Sequence, residues 1–374
     1  MNTILEYLDW RGDLNFISSP FNEVDNVLLT QLSYIDFEGI VPSSKEGKSI
    51  SLPKASKAYF EKHDRKTLEK AKSLARACPF TMERMAQTER FKTIRLSHYE
   101  AHINEETHTQ FSAMHIHLPD GTTYICFRGT DDTLTGWRED FNMLYQFPIE
   151  AQRLAVEYLN NTVSPYSYRR IRLGGHSKGG NLAIYAGVLC RPNIKRKIIH
   201  IFNNDGPGFW EKFVNTKEYQ EMIPKIISIA PQGSIFGMLF EHKEEFRIVK
   251  SKQVSLLQHD AINWGVLGNH LDYADKFTDD GKVLHDAIDQ WMERHDEAQR
   301  KKAVEALFGL LEATNAKNIF ELLNVNMKSA QSVYQTFKEL DKETKQVLLS
   351  VFGVISGEYN KTITNHVKKW IENL

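Results

Sequence analysis

The stretch Arg172-Leu-Gly-Gly-His-Ser-Lys-Gly-Gly-Asn-Leu-Ala183 decides how the rest of the chain is read. Before it, Arg170-Ile-Arg-Leu173 is short and β-prone; after it, Leu182, Ala183, Ala186, Leu189 and Cys190 fall at helical spacing. The segment therefore predicts a strand, a sharp turn and a helix. At the turn, Gly175-His-Ser-Lys-Gly179 matches G-x-S-x-G, the nucleophile elbow. A serine at the apex of so tight a turn has strained backbone angles, and side chains two residues to either side would collide with strand or helix. Its hydroxyl is pushed into the open above a helix N-terminus, which favours negative charge. A glycine-rich turn around a buried serine is the bland reading of the same pattern. A phosphate-binding P-loop does not fit, because Gly179 rather than Ser or Thr follows Lys178 and no glycine precedes it at the needed distance.

With 374 residues the chain exceeds one ordinary domain, so a main domain with an addition is expected. Hydrophobic residues at 41% and charged residues at 25% fit a globular protein, and a net charge of -1 gives no support to nucleic-acid binding. Met1-Asn-Thr-Ile-Leu-Glu-Tyr-Leu-Asp9 carries acidic residues and no long apolar run, unlike a signal peptide. No stretch approaches the ~18 apolar residues of a membrane span; Val347–Ile355, among the longest, is broken by Ser350 and Gly353. Cys78, Cys126 and Cys190 have no paired spacing and read as reduced, buried thiols. A cytoplasmic location without stable membrane insertion is the expectation.

Residues 20–35 place Val24, Val27, Leu28, Leu32 and Ile35 on one helical face, and residues 54–77, with no Gly or Pro, read as a second helix. From Thr93 the period changes to two. Thr93–Ile103 and Phe111–Leu118 read as strands, and Pro119-Asp-Gly121 turns the chain into Thr122–Phe127. His115 and His117 share a strand face; with no Cys or His-rich partner nearby they are read as solvent-facing rather than as a metal pair.

The second informative stretch is Tyr124-Ile-Cys-Phe-Arg-Gly-Thr-Asp-Asp-Thr-Leu-Thr-Gly-Trp-Arg-Glu-Asp140, a buried strand running into a polar loop. In an α/β-hydrolase one oxyanion donor is the amide after the nucleophile and the other comes from the loop after an early central strand, which here designates Lys178 and Thr130. Alternatively the loop is a β-turn held by local Asp hydrogen bonds. Ile149–Val163 shows Ala151, Leu154, Ala155, Tyr158 and Leu159 on one face, fit to cover a sheet. Lys197–Phe202, Lys225–Ala230 and Glu245–Ser251 follow as strands, and their alternation with helices argues an open, mostly parallel sheet.

Phe127-Arg-Gly-Thr130, Trp137 with Asp140, and Gly175-His-Ser-Lys-Gly-Gly180 resemble the class 3 lipase pattern. Gly175-His-Ser-Lys-Gly-Gly-Asn-Leu-Ala183, Asn204-Asp-Gly-Pro-Gly-Phe209 and Gln258-His-Asp260 are similar to a family of uncharacterised bacterial α/β-hydrolases related to those lipases, over roughly residues 1–275. The resemblance implies an α/β-hydrolase fold with a Ser-His-Asp site and says little about substrate. Chain order in that fold is Ser, acid, His, so His259 is the leading base, ahead of His242 and His270, and His176 is too close to the serine in sequence. Class 3 lipases place the acid after the strand corresponding to Lys225–Ala230, where this chain has Pro231-Gln-Gly-Ser234 and no carboxylate until Glu241. Asp205, one strand earlier at the C-terminal edge where ligands sit, is the choice; its bland role is to cap the turn at Gly206-Pro207.

The expectation is thus an α/β-hydrolase domain over 1–281, with an N-terminal helical region, and a C-terminal helical appendage over 282–374. In the appendage Val304, Leu307, Phe308 and Leu311 share a face, as do Phe337, Leu340, Val347 and Leu348, and its helices offer a lid or a surface for homo-oligomers. Ser177, His259 and Asp205 would hydrolyse an ester, lipids and thioesters included, with Thr130 and Lys178 as oxyanion donors and no metal or organic cofactor. A peptidase or amidase uses the same machinery, and a non-catalytic binding protein on a hydrolase scaffold is the rival from another class.

Overall fold

The structure, a computed structural model, describes residues 1–314, 316, 318, 333, 335–342, 344 and 345. Within it the chain divides into two compact units. The first comprises residues 1–131 and 150–277; the second comprises residues 132–149 and the described residues from 278 onward.

The strands of the first unit are, in chain order, β1 (Asn2–Thr3), β2 (Ile50–Ser51), β3 (Arg95–Asn104), β4 (Thr109–His117), β5 (Thr123–Phe127), β6 (Ile171–His176), β7 (Ile198–Asn204), β8 (Ile226–Pro231), β9 (Phe246–Val249), β10 (Gly265–Leu267) and β11 (His270–Leu271). β2 to β9 form one eight-stranded sheet in sequence order, and β1, β10 and β11 form a small antiparallel one. β2 to β5 pair antiparallel, whereas β5 to β9 pair parallel. The result is a mixed α/β architecture whose central sheet is mostly parallel and flanked by helices.

The parallel half explains its own sequence. A strand covered by helices on both faces has no reason to alternate apolar and polar residues, and every residue of β5 is buried. Helices Glu150–Thr162 and Lys178–Leu189 make the crossovers on either side of β6, and the second is buried at every position but its last. On the other face lies the helix Glu23–Gln31, opened by an Asn22 capping box. Its fully buried Asp25 pairs with Arg90, whose guanidinium also donates to the carbonyls of Leu14 (3.0 Å) and Ser19 (2.9 Å). Parallel pairing brings all the C-terminal ends to one edge: Gly175 lies opposite Phe127, Asn204 opposite His176, and Ile229 opposite Asn204.

Two expectations need correction. Residues 54–77 are not one helix. Leu52–Lys62 ends at His63, and the Asp64 carboxylate takes the Thr67 amide (2.9 Å) and restarts the chain as Arg65–Lys70. The next helix is Cys78–Gln87. His115 does not face solvent: it is buried, stacks on His98 with ring centroids 4.4 Å apart, and bonds the Thr162 hydroxyl (3.0 Å). A register shift between Ser97 and Glu100 turns His98 inward at φ 55, and Ser97 bonds both His98 and His117. Burial pushes the His115 pKa well below the ordinary value, and that of His117 to about 4.

The second unit is helical where described, with Leu134–Asn142, Asp279–Arg294 and Glu297–Glu312. Val304, Leu307, Phe308 and Leu310 form its core, against which Trp137, Phe141, Phe337 and Leu340 pack. Arg138 ties the helices by an ion pair to Glu312 (2.7 Å), and Arg300 by donation to the Leu144 carbonyl (2.8 Å). Val347 and Leu348 lie outside the described residues, as does most of the surface expected to support homo-oligomers. No described helix is long and apolar enough to cross a membrane.

Candidate active site

Ser177 follows β6 directly and stands at φ 58, ψ -135, an angle pair that L-residues avoid. The surroundings impose it. A Cβ built on Gly179 would lie 2.2 Å from the Phe127 carbonyl oxygen, and one on Gly175 would lie 2.2 Å from the Gly179 carbonyl carbon. Strand end and helix start therefore approach to backbone contact only because both residues are glycine. The Ser177 amide donates to the Asn204 carbonyl (2.9 Å). Beneath it runs a buried chain of polar groups. Tyr124 donates to the Asn26 side-chain oxygen (2.6 Å), Asn26 to that of Asn204 (2.8 Å), and Asn204 to the Gly175 carbonyl (3.0 Å). Every member finds a partner, so the network rigidifies the elbow at no desolvation cost.

One strand along, the same device recurs. Asp205 follows β7 at φ 54, and its amide donates to the Ile229 carbonyl (2.7 Å). The two strained residues thus occupy equivalent steps on the C-terminal edge, and such strain concentrates at functional positions. Asp205 does not cap its own turn: the Gly206 amide goes to the Asn203 side chain (2.9 Å). The Asp205 carboxylate is free of that duty and turns elsewhere. One oxygen accepts from the Ser234 hydroxyl, and the other lies 2.6 Å from Nδ1 of His259. Asp205 is 0% exposed at its side chain and His259 18%, so the carboxylate is dry while the imidazole reaches the surface.

His259 sits on the short 3₁₀ turn Ser255–His259, which is held from several sides. The Gln258 side chain accepts the Gly233 amide (3.1 Å), and the Gln258 carbonyl accepts the Trp264 indole N–H (2.9 Å). His176 supplies the next hold. Its Nε2 lies 2.7 Å from the His259 carbonyl, and its Nδ1 lies 2.7 Å from the Tyr34 hydroxyl. A carbonyl only accepts, so Nε2 carries the proton and Nδ1 accepts from Tyr34. Burial, with His259 beside it, pushes the His176 pKa well below the usual value and keeps the ring neutral. Phe236 packs on His259 with ring centroids 4.4 Å apart. Asp260, next in sequence, spends its carboxylate on the Ile262 amide (3.1 Å) and the Asn263 side chain (2.9 Å).

The loop after β5 lies against the serine. A Cβ on Gly129 would meet the His176 carbonyl oxygen at 2.4 Å and the Ser177 Cβ at 3.2 Å, so Thr130 is one residue from the point of contact. Lys178, the other proposed oxyanion donor, opens the elbow helix. The structure therefore brings Asp205 to His259, and Gly129 to Ser177. His242, a rival base, instead bonds Glu244 (3.1 Å), and His270 bonds the Leu271 carbonyl (2.8 Å). Cys126 offers no rival nucleophile, since burial raises its thiol to about 12.

Sequence reasoning did not find Tyr34, Ser234 or Trp264. Ser234 alone left a signal, because it occupies the loop after β8, where the class 3 lipase resemblance would place an acid, and here its hydroxyl donates to Asp205. Among the described residues no group of three or more His, Cys, Asp or Glu side chains is placed to hold a metal ion. A cavity of about 720 Å³ opens at the opposite edge of the sheet, lined by Phe21, Arg172, His200, Phe246, Arg247 and Tyr273. Its lining residue Arg172 lies roughly 16 Å along β6 from Ser177 at about 3.3 Å per residue.

A family model described as Mbeg1-like matches residues 85–309, which hold every residue of the site but Tyr34 and Asn26. No curated protein matches the chain. Among solved structures, the native propeptide complex of Rhizomucor miehei lipase aligns with a TM-score of 0.35 at 16% identity, over 46% of this chain and 71% of that one.

Proposed function

The chain belongs to the Mbeg1-like family, a lipase-like family, and we propose that it is a serine hydrolase of α/β-hydrolase type acting on esters, lipid esters and thioesters included. The observation that carries the reading is the 2.6 Å approach of the buried Asp205 carboxylate to His259, both on the edge where Ser177 is held in a strained elbow. A cap or a surface loop would not need that conjunction.

In the mechanism this geometry supports, the Ser177 hydroxyl oxygen attacks the ester carbonyl carbon and its proton passes to Nε2 of His259. Asp205 accepts from Nδ1–H, which fixes the tautomer that leaves Nε2 able to take a proton. The tetrahedral oxyanion is received by the amides of Thr130 and Lys178; an oxyanion donor is worth about 2.7–4 kcal/mol in sites where one has been removed. Collapse breaks the C–O bond to the leaving group, which departs as an alcohol with the proton from His259. Water then attacks the acyl-enzyme and gives its proton to His259; the bond from the acyl carbon to Ser177 Oγ breaks, His259 returns the proton to Oγ, and the carboxylic acid leaves. His176 and Tyr34 are positioning residues: they hold the backbone of the base, and the His176 ring packs on that of His259 with centroids 4.5 Å apart.

The test is a panel of 4-nitrophenyl esters of increasing chain length beside matched anilides. Turnover of esters that Ser177→Ala abolishes supports the reading. Hydrolysis confined to the anilides would move it to an amidase, and no hydrolysis of either by the folded protein would favour a binding protein on this scaffold.

A further inference from the structure

Resting on the reading of Ser177 as nucleophile, we propose that Arg128 is an anion anchor beside it, so that the ester cleaved carries a carboxylate or phosphate a few bonds from its scissile carbonyl. Arg128 follows the end of β5 and is only 8% exposed. Its Nε and Nη2 are buried without a hydrogen-bond partner among the described residues, and no ion pair to it occurs among them. An arginine does not escape this by losing its proton. Two of its guanidinium nitrogens are thus buried without a bond, an arrangement that costs a fold stability.

The same protein satisfies its other buried arginine fully. Arg90, 0% exposed, divides its donors between Asp25 and the carbonyls of Leu14, Ser19 and Pro20. Among the described residues, Arg11 and Arg172 each leave one buried nitrogen, Nε, without a partner, whereas Arg128 leaves two. The nearby carboxylate of Asp36 is turned to the Glu38 amide (2.9 Å) and the Tyr99 hydroxyl (3.3 Å), and pairs with neither nitrogen. A carboxylate or phosphate oxygen pair fits the empty fork of a guanidinium, with two parallel charge-assisted hydrogen bonds.

Position makes a substrate the source of that anion. Arg128 immediately precedes Gly129, the residue whose added Cβ would stand 3.2 Å from the Ser177 Cβ. With 3.8 Å between consecutive Cα atoms, the Arg128 Cα is within about 9 Å of the Ser177 Cβ. Phe127 packs against Tyr158 on one face of the sheet (ring centroids 6.1 Å), which sends Arg128 to the other, where Tyr34 covers Gly129 and holds His176.

Two matched pairs of substrates test this: mono(4-nitrophenyl) glutarate against 4-nitrophenyl valerate, and 1-butyrylglycerol 3-phosphate against 1-butyrylglycerol. The first pair reads an acyl-side carboxylate and the second an alcohol-side phosphate. The charged member of at least one pair should have a kcat/KM on the order of 10- to 100-fold higher, carried by KM. Arg128→Gln should collapse that ratio toward one and Arg128→Lys should keep part of it, whereas Arg172→Gln, at the far edge of the sheet, should leave it unchanged. Ratios near one in the wild-type protein for both pairs would overturn the proposal, as would a ratio that survives Arg128→Gln. Calorimetric binding of the same four compounds to Ser177→Ala separates the two readings. Arg128-dependent binding of the charged member by a protein without turnover sinks the hydrolase assignment and keeps the anchor; turnover without charge preference does the reverse. Should Arg128→Gln fail to fold, the wild-type ratios and Arg128→Lys still decide.

Discussion

Replacing Asp205 by Asn removes one charge and turns a carboxylate oxygen into a donor, and the structure says which one. Asp205 accepts twice, from the Ser234 hydroxyl at one oxygen and from His259 Nδ1 at 2.6 Å at the other. Ser234 is itself committed, since its oxygen accepts the Gly237 amide (3.0 Å), so its hydroxyl proton must go to residue 205. An Asn with its amide nitrogen toward Ser234 would strand that buried proton, at about 1–3 kcal/mol. With its nitrogen toward His259, every group around Ser234 stays satisfied. The second orientation is thus favoured roughly 5- to 150-fold, at 1.4 kcal/mol per factor of ten. It forces Nδ1 of His259 to accept, puts the ring proton on Nε2, and leaves nothing to take the proton of Ser177. Turnover should fall by up to ~10⁴-fold, the scale seen when a triad carboxylate is made an amide elsewhere. The assay is kcat on 4-nitrophenyl butyrate with thermal melts alongside, and Asp260→Asn is the control, because that carboxylate only caps its own turn. A folded Asp205→Asn variant within tenfold of wild type would refute the reasoning, as would an equal loss in Asp260→Asn.

Thr130→Pro deletes the amide proposed as an oxyanion donor and should lower kcat about 10²-fold in a protein that still melts cooperatively; an unchanged kcat removes Thr130 from the site. Tyr34→Phe leaves the buried Nδ1 of His176 without its donor and should cost about 1–3 kcal/mol in urea unfolding, with kcat falling far less than in Asp205→Asn; a stability unchanged by this substitution would contradict the clamp. Burial lowers the folded-state pKa values of His115, His117 (to about 4) and His176 below the ordinary 6.5, so below that pH the unfolded chain holds more protons. Stability from these histidines is complete above about pH 6.5 and is lost as pH falls toward 4. The melting temperature should be lower at pH 5 than at pH 7.5, and an equal or higher value at pH 5 would contradict that account.

What could be read in the sequence was whatever chemistry writes at short range. Gly175 is required by its contact with Gly179 four residues on, so the elbow shows in five letters. Asp205 and His259 were reachable because the order of strands limits which loops share an edge, and the absence of a carboxylate after β8 directed attention one strand back. Tyr34 was not reachable. It lies 142 residues from the histidine it bonds, on a 3₁₀ turn whose apolar pattern reads only as core. His115 misled because alternation predicts which residues share a face but not what covers it, and there a displaced His98 and the helix bearing Thr162 close over the strand. The break at Asp64 was legible in principle, since a side chain that bonds a backbone amide three residues ahead starts a helix as readily as it sits inside one.

The central claim is that Ser177 is an activated nucleophile. Intact-mass analysis of the protein after treatment with a fluorophosphonate tests it most directly, because the reagent modifies only a serine whose proton can be taken. A single adduct is predicted, mapping to Ser177, absent in Ser177→Ala and slowed in Asp205→Asn. An adduct of equal extent in Ser177→Ala, or none in the folded wild-type protein, would contradict it.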